Sequence, residues 1–204
     1  MYFNLAEMSP SQAYFSMIQT LIPRPIAWVL SENDDRGYNL APFSYFNAVC
    51  SDPPLVLLSI GRKPDGSPKD TAVNIERRGD YVVHIAHREL AEAMTASSAT
   101  LPYGDSEVTR LGLETTAFPG CPLPRLAACR VAYHCERWEI RQIGGAPQTL
   151  VLGLVKQIYV ADEAVATDAK GRTRIDATRL APLGRLGGGE YVTFGEVIDI
   201  PRPA

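Results

Sequence analysis

Apolar and polar positions alternate most informatively between Tyr38 and Thr71. Two apolar runs, Asn39 to Cys50 and Leu55 to Ile60, flank Ser51-Asp52-Pro53-Pro54. A polar loop rich in glycine and proline follows, and Lys69-Asp70-Thr71 opens a helix. Upstream, Ser9-Pro10-Ser11-Gln12 predicts a helix to about Thr20. Ser9 can cap it, Pro10 suits the first helical position and Gln12 closes a capping box. Ile22-Pro23-Arg24-Pro25 ends that helix, because a residue before proline avoids the helical region. Ile26 to Leu30 reads as a strand, the polar stretch Glu32 to Gly37 as a hairpin turn, and Tyr38 to Val49 and Leu55 to Ile60 as the next two strands. Three consecutive strands with short links favour antiparallel pairing.

Asp70 stands where a helix cap belongs and Gly79 where that helix should stop. Tyr81 to Ala86 predicts a buried strand, and Arg88 to about Ser97 a second helix rich in good helix formers. Pro102 to Thr109 reads as a polar loop. Pro119, Pro122 and Pro124 make a rigid extended connection. Leu126 to Ile140 and Thr149 to Val160 form a long hairpin about Gly144-Gly145. Both faces of that ribbon carry apolar residues, so it is covered on both sides. Near the C-terminus, Gly187-Gly188-Gly189 leaves backbone bare for a close approach, or forms a plain turn. A last strand is expected from Tyr191 to Val197.

Six to eight mostly consecutive strands with short helices argue against a doubly wound sheet. They predict a mainly β, closed or partly open antiparallel barrel with helical additions, one domain over residues 1–204. Composition agrees. Hydrophobic residues make up 46% and charged residues 21% of the 204-residue chain, enough for a core without staples. A formal charge of -3 gives no basis for nucleic acid as a partner. No apolar run approaches the ~20 residues of a membrane span. Cys50, Cys121, Cys129 and Cys135 form no CxxC pair and match no zinc spacing. The expectation is free thiols in the cytoplasm.

Candidate chemistry gathers around the same central stretch. Hydroxyls, amides and a basic loop delivered by two strands suit a flat cofactor with a phosphate tail. Ser44, Asn47 and Ser51 could hydrogen-bond the edge of a planar ring, or only satisfy local backbone. Arg62 and Lys69, with the Thr71 hydroxyl and the amides of Thr71 and Ala72, could hold a phosphate, or stand on a solvated loop. Arg24 follows the same logic. Asp70 would repel a phosphate, so its expected role is to cap the helix while facing away. His84 lies in an apolar strand and reads as a core residue, and no catalytic role is assigned to any side chain.

Four blocks carry a resemblance: Arg24-Pro25-Ile26-Ala27-Trp28, Asn39 to Val49, Ser51-Asp52-Pro53-Pro54-Leu55-Val56, and Lys69 to Ile75. Together they resemble the flavin reductase-like family of FMN-binding split barrels, over residues 10 to 195. The resemblance implies a six-stranded antiparallel Greek-key split barrel that forms a homodimer and holds FMN at or near the subunit interface. The segment Ser44-Tyr45-Phe46-Asn47-Ala48-Val49-Cys50-Ser51 would lie along the flavin ring. Ser59-Ile60-Gly61-Arg62 and Lys69-Asp70-Thr71 would hold the ribityl and phosphate. Cys50 departs from the family, where a small hydroxyl residue is common, and alters a ring contact. The implied activity is a flavin reductase passing hydride from NAD(P)H to flavin, with a monooxygenase or other flavin acceptor as partner. The alternative is an FMN-binding electron carrier or flavin store without NAD(P)H turnover.

Overall fold

The computed structural model describes every residue except Arg36, Ala146, Ala169, Arg202 and Ala204. Arg36 belongs to the turn expected at Glu32 to Gly37 and so lies outside the described residues. The first helix, α1, runs Pro10–Thr20 with the full capping box: Ser9 Oγ accepts from Gln12 N, and Ser9 N donates to the Gln12 side chain.

One antiparallel sheet carries the fold. Its strands are β1 (Ala27–Glu32), β2 (Tyr38–Phe43), β3 (Phe46–Ser51), β4 (Pro54–Ile60), β5 (Asp80–Ile85), β6 (Val131–Ile143) and β7 (Gln148–Val160). Their order is β2-β1-β5-β6-β7-β4-β3. The two edges, β2 and β3, are consecutive in the chain and separated only by Ser44 and Tyr45. One bent segment therefore supplies both edges, and the sheet closes on itself. Ser59 N donates to Tyr45 O at 2.9 Å across this corner. The structure is a split barrel. It has seven strands rather than six because the single strand expected from Tyr38 to Val49 breaks at this corner. The barrel is split at this seam, since among the described residues β2 and β3 do not pair with each other. A bulge at Val49, between Ala48 and Cys50, further bends β3.

Strand alternation sorts the core into two clusters. Ala27, Val29, Tyr81, Val83, Leu58 and Val151 fill the barrel, joined by Ala72 and Ile75 from α2 (Asp70–Arg78). Trp28, Leu30, Leu40, Val82 and Ala132 face outward and are covered by Met94 of α3 (Ala91–Ala96), Val108 of α4 (Glu107–Arg110), and Phe118, Leu123 and Leu126 from the proline-rich connection. This explains why β1 and β5 read as continuous apolar runs. The stretch expected as a loop from Pro102 to Thr109 holds the start of α4, because its Glu107 finds a buried partner in Leu40 N at 2.9 Å. The last strand shrinks to Tyr191–Val192, paired with Gly184–Arg185 in a short hairpin. Within the barrel, a Cβ on Gly153 would lie 1.7 Å from Tyr81 Oη, so β7 takes glycine there to admit the tyrosine.

His84 latches the outer layer to the barrel. Its Nδ1 donates to Trp28 O at 3.1 Å, and its Nε2 accepts from Leu126 N at 2.9 Å. That pair of bonds selects the neutral ring, and complete burial lowers its pKa from 6.5 to about 4. Cys129 and Cys135 are buried thiols, pushed by that burial up to about 12.

Arg24 ties three parts of the chain together. Its Nη1 donates to Ile18 O at 2.5 Å and to Leu21 O at 2.7 Å. Its Nη2 donates to Leu186 O at 2.8 Å, and Nε to Ser44 Oγ at 3.4 Å. Its backbone exchanges two hydrogen bonds with Arg185. The end of α1, the barrel corner and the C-terminal hairpin are thus held by one side chain that is 5% exposed.

Two outcomes follow from these latches. Below pH 6.5 the unfolded chain takes up a proton that folded His84 refuses. Stability should therefore fall as pH drops from 6.5 to about 4, by about 3 kcal/mol at most from this group. Denaturation at several pH values, with the ring followed by NMR, measures it; a His84 that charges near 6.5 contradicts the latch. Arg24→Met should cost about 2–4 kcal/mol, since each buried carbonyl stripped of its donor costs roughly 1–3 kcal/mol. Urea denaturation reads the loss, and limited proteolysis should cut first near the C-terminal hairpin.

Candidate functional site

Two cavities meet beside the barrel corner and share Pro42 and Ser98 as walls. The smaller, polar one is lined by Asn39, Lys63, Lys69, Asp70, Thr71, Glu107 and the segment 97–101. The larger, of about 320 Å³, lies between α1, the β2 end and the C-terminal hairpin.

The polar cavity is built by α2 docking its first turn against β2. Lys69 is the N-cap residue and makes no side-chain cap bond. Asp70 is the first helical residue, not the cap. Instead of facing away it turns into the cavity, where Lys63 Nζ lies 2.5 Å from its Oδ1. A short basic loop, closed by the Arg62–Pro68 bridge, brings Lys63 back to that position. Ala72 N is committed to Lys69 O at 2.9 Å. The free amides of the helix start are therefore those of Asp70 and Thr71, not of Thr71 and Ala72.

Thr71 is held from behind. Asn39 Nδ2 donates to Thr71 Oγ1 at 2.8 Å, which leaves the Thr71 hydroxyl proton to donate elsewhere. Ser31 and Asn74 extend this buried network. Segment 97–101 is anchored by Trp28 Nε1, which donates to Ser97 Oγ at 2.8 Å. Lys69 is half-buried, and no carboxylate pairs with it among the described residues. Burial first, then the neighbouring Lys63 charge, lower its pKa below 10.5. Burial likewise raises the Glu107 carboxyl. An anion placed beside Lys69 would offset the cost of its charge.

The larger cavity has aromatic and aliphatic walls: Tyr14, Phe15 and Ile18 from α1, Phe43 from β2, and Tyr191 from the hairpin. Lys69 Nζ reaches over the Phe43 ring, 5.9 Å from its centroid, and so links the two spaces. Ser44 lines the larger cavity. Tyr45, at the corner, stands 6.5 Å from Tyr14 ring to ring, and burial, then Tyr14, raise its pKa.

The remaining expected positions are spread more widely. Arg24 lines the larger cavity, but its donors are taken by carbonyls and Ser44, so it holds the site together instead of offering a free cation. Phe46 packs on the barrel interior. Asn47, Ala48, Val49, Cys50 and Ser51 are exposed along β3 and line neither cavity within one chain. Asn47 accepts from Ala48 N, and Cys50 Sγ donates to Pro53 O at 3.1 Å. Ser59 and Ile60 sit on β4, Ile60 fully buried. Gly61 lies against Gln148. Arg62 turns to the β6–β7 hairpin, 3.4 Å from Gln142 Oε1 and from Pro147 O. Sequence reasoning passed over Lys63, Glu107 and Ser97–Ser98. Lys63 alone carried a readable signal, being a second cation inside the same loop.

The comparisons with known proteins agree with this architecture. A relative from Halalkalibacterium halodurans, itself an uncharacterised protein, is 36% identical, covering 100% of this chain and 97% of its own length. Among solved structures, nitrilotriacetate monooxygenase component B from Bacillus cereus is 31% identical with a TM-score of 0.89, covering 98% of each chain. The Pseudomonas fluorescens 2-nitrobenzoate 2-nitroreductase NbaA is 26% identical with a TM-score of 0.88, covering 100% of this chain and 96% of its own. The model of the flavin reductase-like domain matches residues 19–175. With a closed split barrel and a match spanning most of its length, the chain belongs to the flavin reductase-like domain family.

Proposed function

We propose that this protein binds FMN and acts as an NAD(P)H-dependent flavin reductase. One observation carries the reading. A half-buried lysine with no carboxylate partner among the described residues stands at the open start of α2, beside a cavity with aromatic walls. A phosphate there meets Lys69, the Thr71 hydroxyl and the two free amides of Asp70 and Thr71. Lys63 neutralises Asp70, which removes the repulsion that a carboxylate would otherwise exert on the phosphate. The ring then lies along the barrel corner, against Pro42 to Ser44.

The chemistry that such a ring supplies is two-electron transfer, from a reduced nicotinamide to a further acceptor. The chain's own part is to bind, orient and shield. Phe43 excludes water from one side of the ring, and the α1 aromatics wall the space beyond it. Arg24 keeps those walls in register.

A homodimer is part of the same reading. Tyr14, Phe15 and Met17 on α1, Leu21 just beyond it, and Val49 on β3 are exposed apolar residues. Such patches mark interaction surfaces. A second copy against β3 would bring the exposed segment Asn47 to Ser51 into a shared site. A monooxygenase as partner draws support from the Bacillus cereus relative, which is described as a monooxygenase component B.

Replacing Lys69 and Thr71 together by Ala should weaken FMN about 10- to 100-fold more than riboflavin, since only FMN carries the phosphate and charged hydrogen bonds contribute roughly 1.5–3 kcal/mol each. Fluorescence titration measures both ligands, and equal losses would refute the phosphate role. Rapid mixing of the FMN-loaded protein with NADH and with NADPH should bleach the flavin absorbance with at least one of them. Retained absorbance with both would leave an electron carrier or flavin store as the function.

A further inference from the structure

The larger cavity holds a cation that the flavin reading does not use. Arg185 lies on the C-terminal hairpin, its backbone fixed by two hydrogen bonds to Arg24. The hairpin is seated closely: a Cβ on Gly184 would fall 2.8 Å from Pro23 Cβ, and one on Gly187 2.6 Å from Gln19 Cγ of α1. Gly188 turns the chain at φ +59°. Arg185 is thus presented from a braced support. Its guanidinium lies 4.5 Å from the centroid of the Tyr191 ring. One of its nitrogens donates to Gly188 O. No carboxylate pairs with it among the described residues, and the cavity wall contains two arginines and no acidic side chain. Arg24 has spent its donors on the protein, whereas most of the five N–H groups of Arg185 remain available. Aromatic walls, a single open guanidinium and a volume of about 320 Å³ together describe a slot for a flat anion.

We propose that this cavity binds a planar aromatic carboxylate, with Arg185 as its counter-charge and Tyr14, Phe15 and Tyr191 as its walls. Arg185 is then the specificity-determining residue for the second ligand of the site, the molecule that meets the flavin ring. A carboxylate takes two parallel hydrogen bonds from a guanidinium, which fixes the plane of the attached ring. The same ring with a neutral amide keeps its stacking contacts and loses the charge-assisted pair. That the ligand meets the flavin ring rests on the flavin reading above, while its binding does not.

The test compares 2-naphthoate with 2-naphthamide by calorimetry on the FMN-loaded protein. Wild type should bind the carboxylate at least about tenfold more tightly than the amide. Arg185→Gln should abolish that preference and leave FMN affinity unchanged, and Arg185→Lys should keep part of it. Equal binding of the two probes, no binding of either, or a preference that survives in Arg185→Gln would overturn the proposal. So would displacement of FMN by 2-naphthoate, because the two ligands would then share one space. Thermal unfolding of Arg185→Gln verifies that the hairpin survives the change. If the protein takes up no FMN at all, the flavin reading fails by itself, and the carboxylate preference is still measured on the flavin-free protein.

Discussion

A single buried guanidinium holds the working side of this molecule together. Arg24 reaches the last carbonyls of α1, the hydroxyl at the barrel corner and the backbone of the C-terminal hairpin. These three parts come from residues 18–21, 44 and 186, and among the described residues no strand pairing joins them. A buried cation without a carboxylate is costly unless its donors are satisfied. Here carbonyl oxygens and one hydroxyl satisfy them, and the same bonds cap the unpaired carbonyls that end α1. The cavity between α1 and the hairpin exists because this side chain keeps its two walls at a fixed distance.

Barrel closure is the second constraint. The segment from Tyr38 to Ser51 serves as both edges of the sheet, so its corner must turn where the two edges meet. That corner carries Ser44 and Tyr45 and lies beside the start of α2, whose Ala72 and Ile75 plug the barrel interior. Packing an apolar helix face into the barrel thus delivers the polar start of that helix to the outer rim. The proposed binding site is a consequence of how the barrel is filled.

Charge is managed locally in the same rim. Two lysines and two carboxylates share a small polar space. Lys63 and Asp70 form a tight pair, Glu107 is occupied by the Leu40 amide, and Lys69 is left over. Burial penalises that remaining charge, so the cavity favours an anion by leaving one cation unmatched. Arg185 repeats this arrangement on the other side of Pro42 and Ser98.

The local signals in the sequence were enough for most of the elements. The capping box at Ser9 and Gln12, the apolar runs of β1 and β5, the Gly79 stop and the long glycine-turn hairpin are all properties of near neighbours. The block of motifs from Arg24 to Ile75 likewise announced the family and its barrel. Other features depend on residues far apart in the chain. Nothing near Arg24 says that its donors go to residue 186, and nothing near Glu107 says that Leu40 awaits it. The direction taken by Asp70 depends on where the 62–68 loop returns Lys63, and the break of one strand at Ser44 depends on the two sheet edges meeting. Sequence alone determined most of the strands and helices, because those follow from periodicity, caps and turns. Its motif blocks carried the resemblance to the flavin reductase-like family, but α4 and the break at Ser44 were not legible locally. Only the tertiary structure decided which cations stay free and which are spent, because that turns on partners brought together by closure of the barrel.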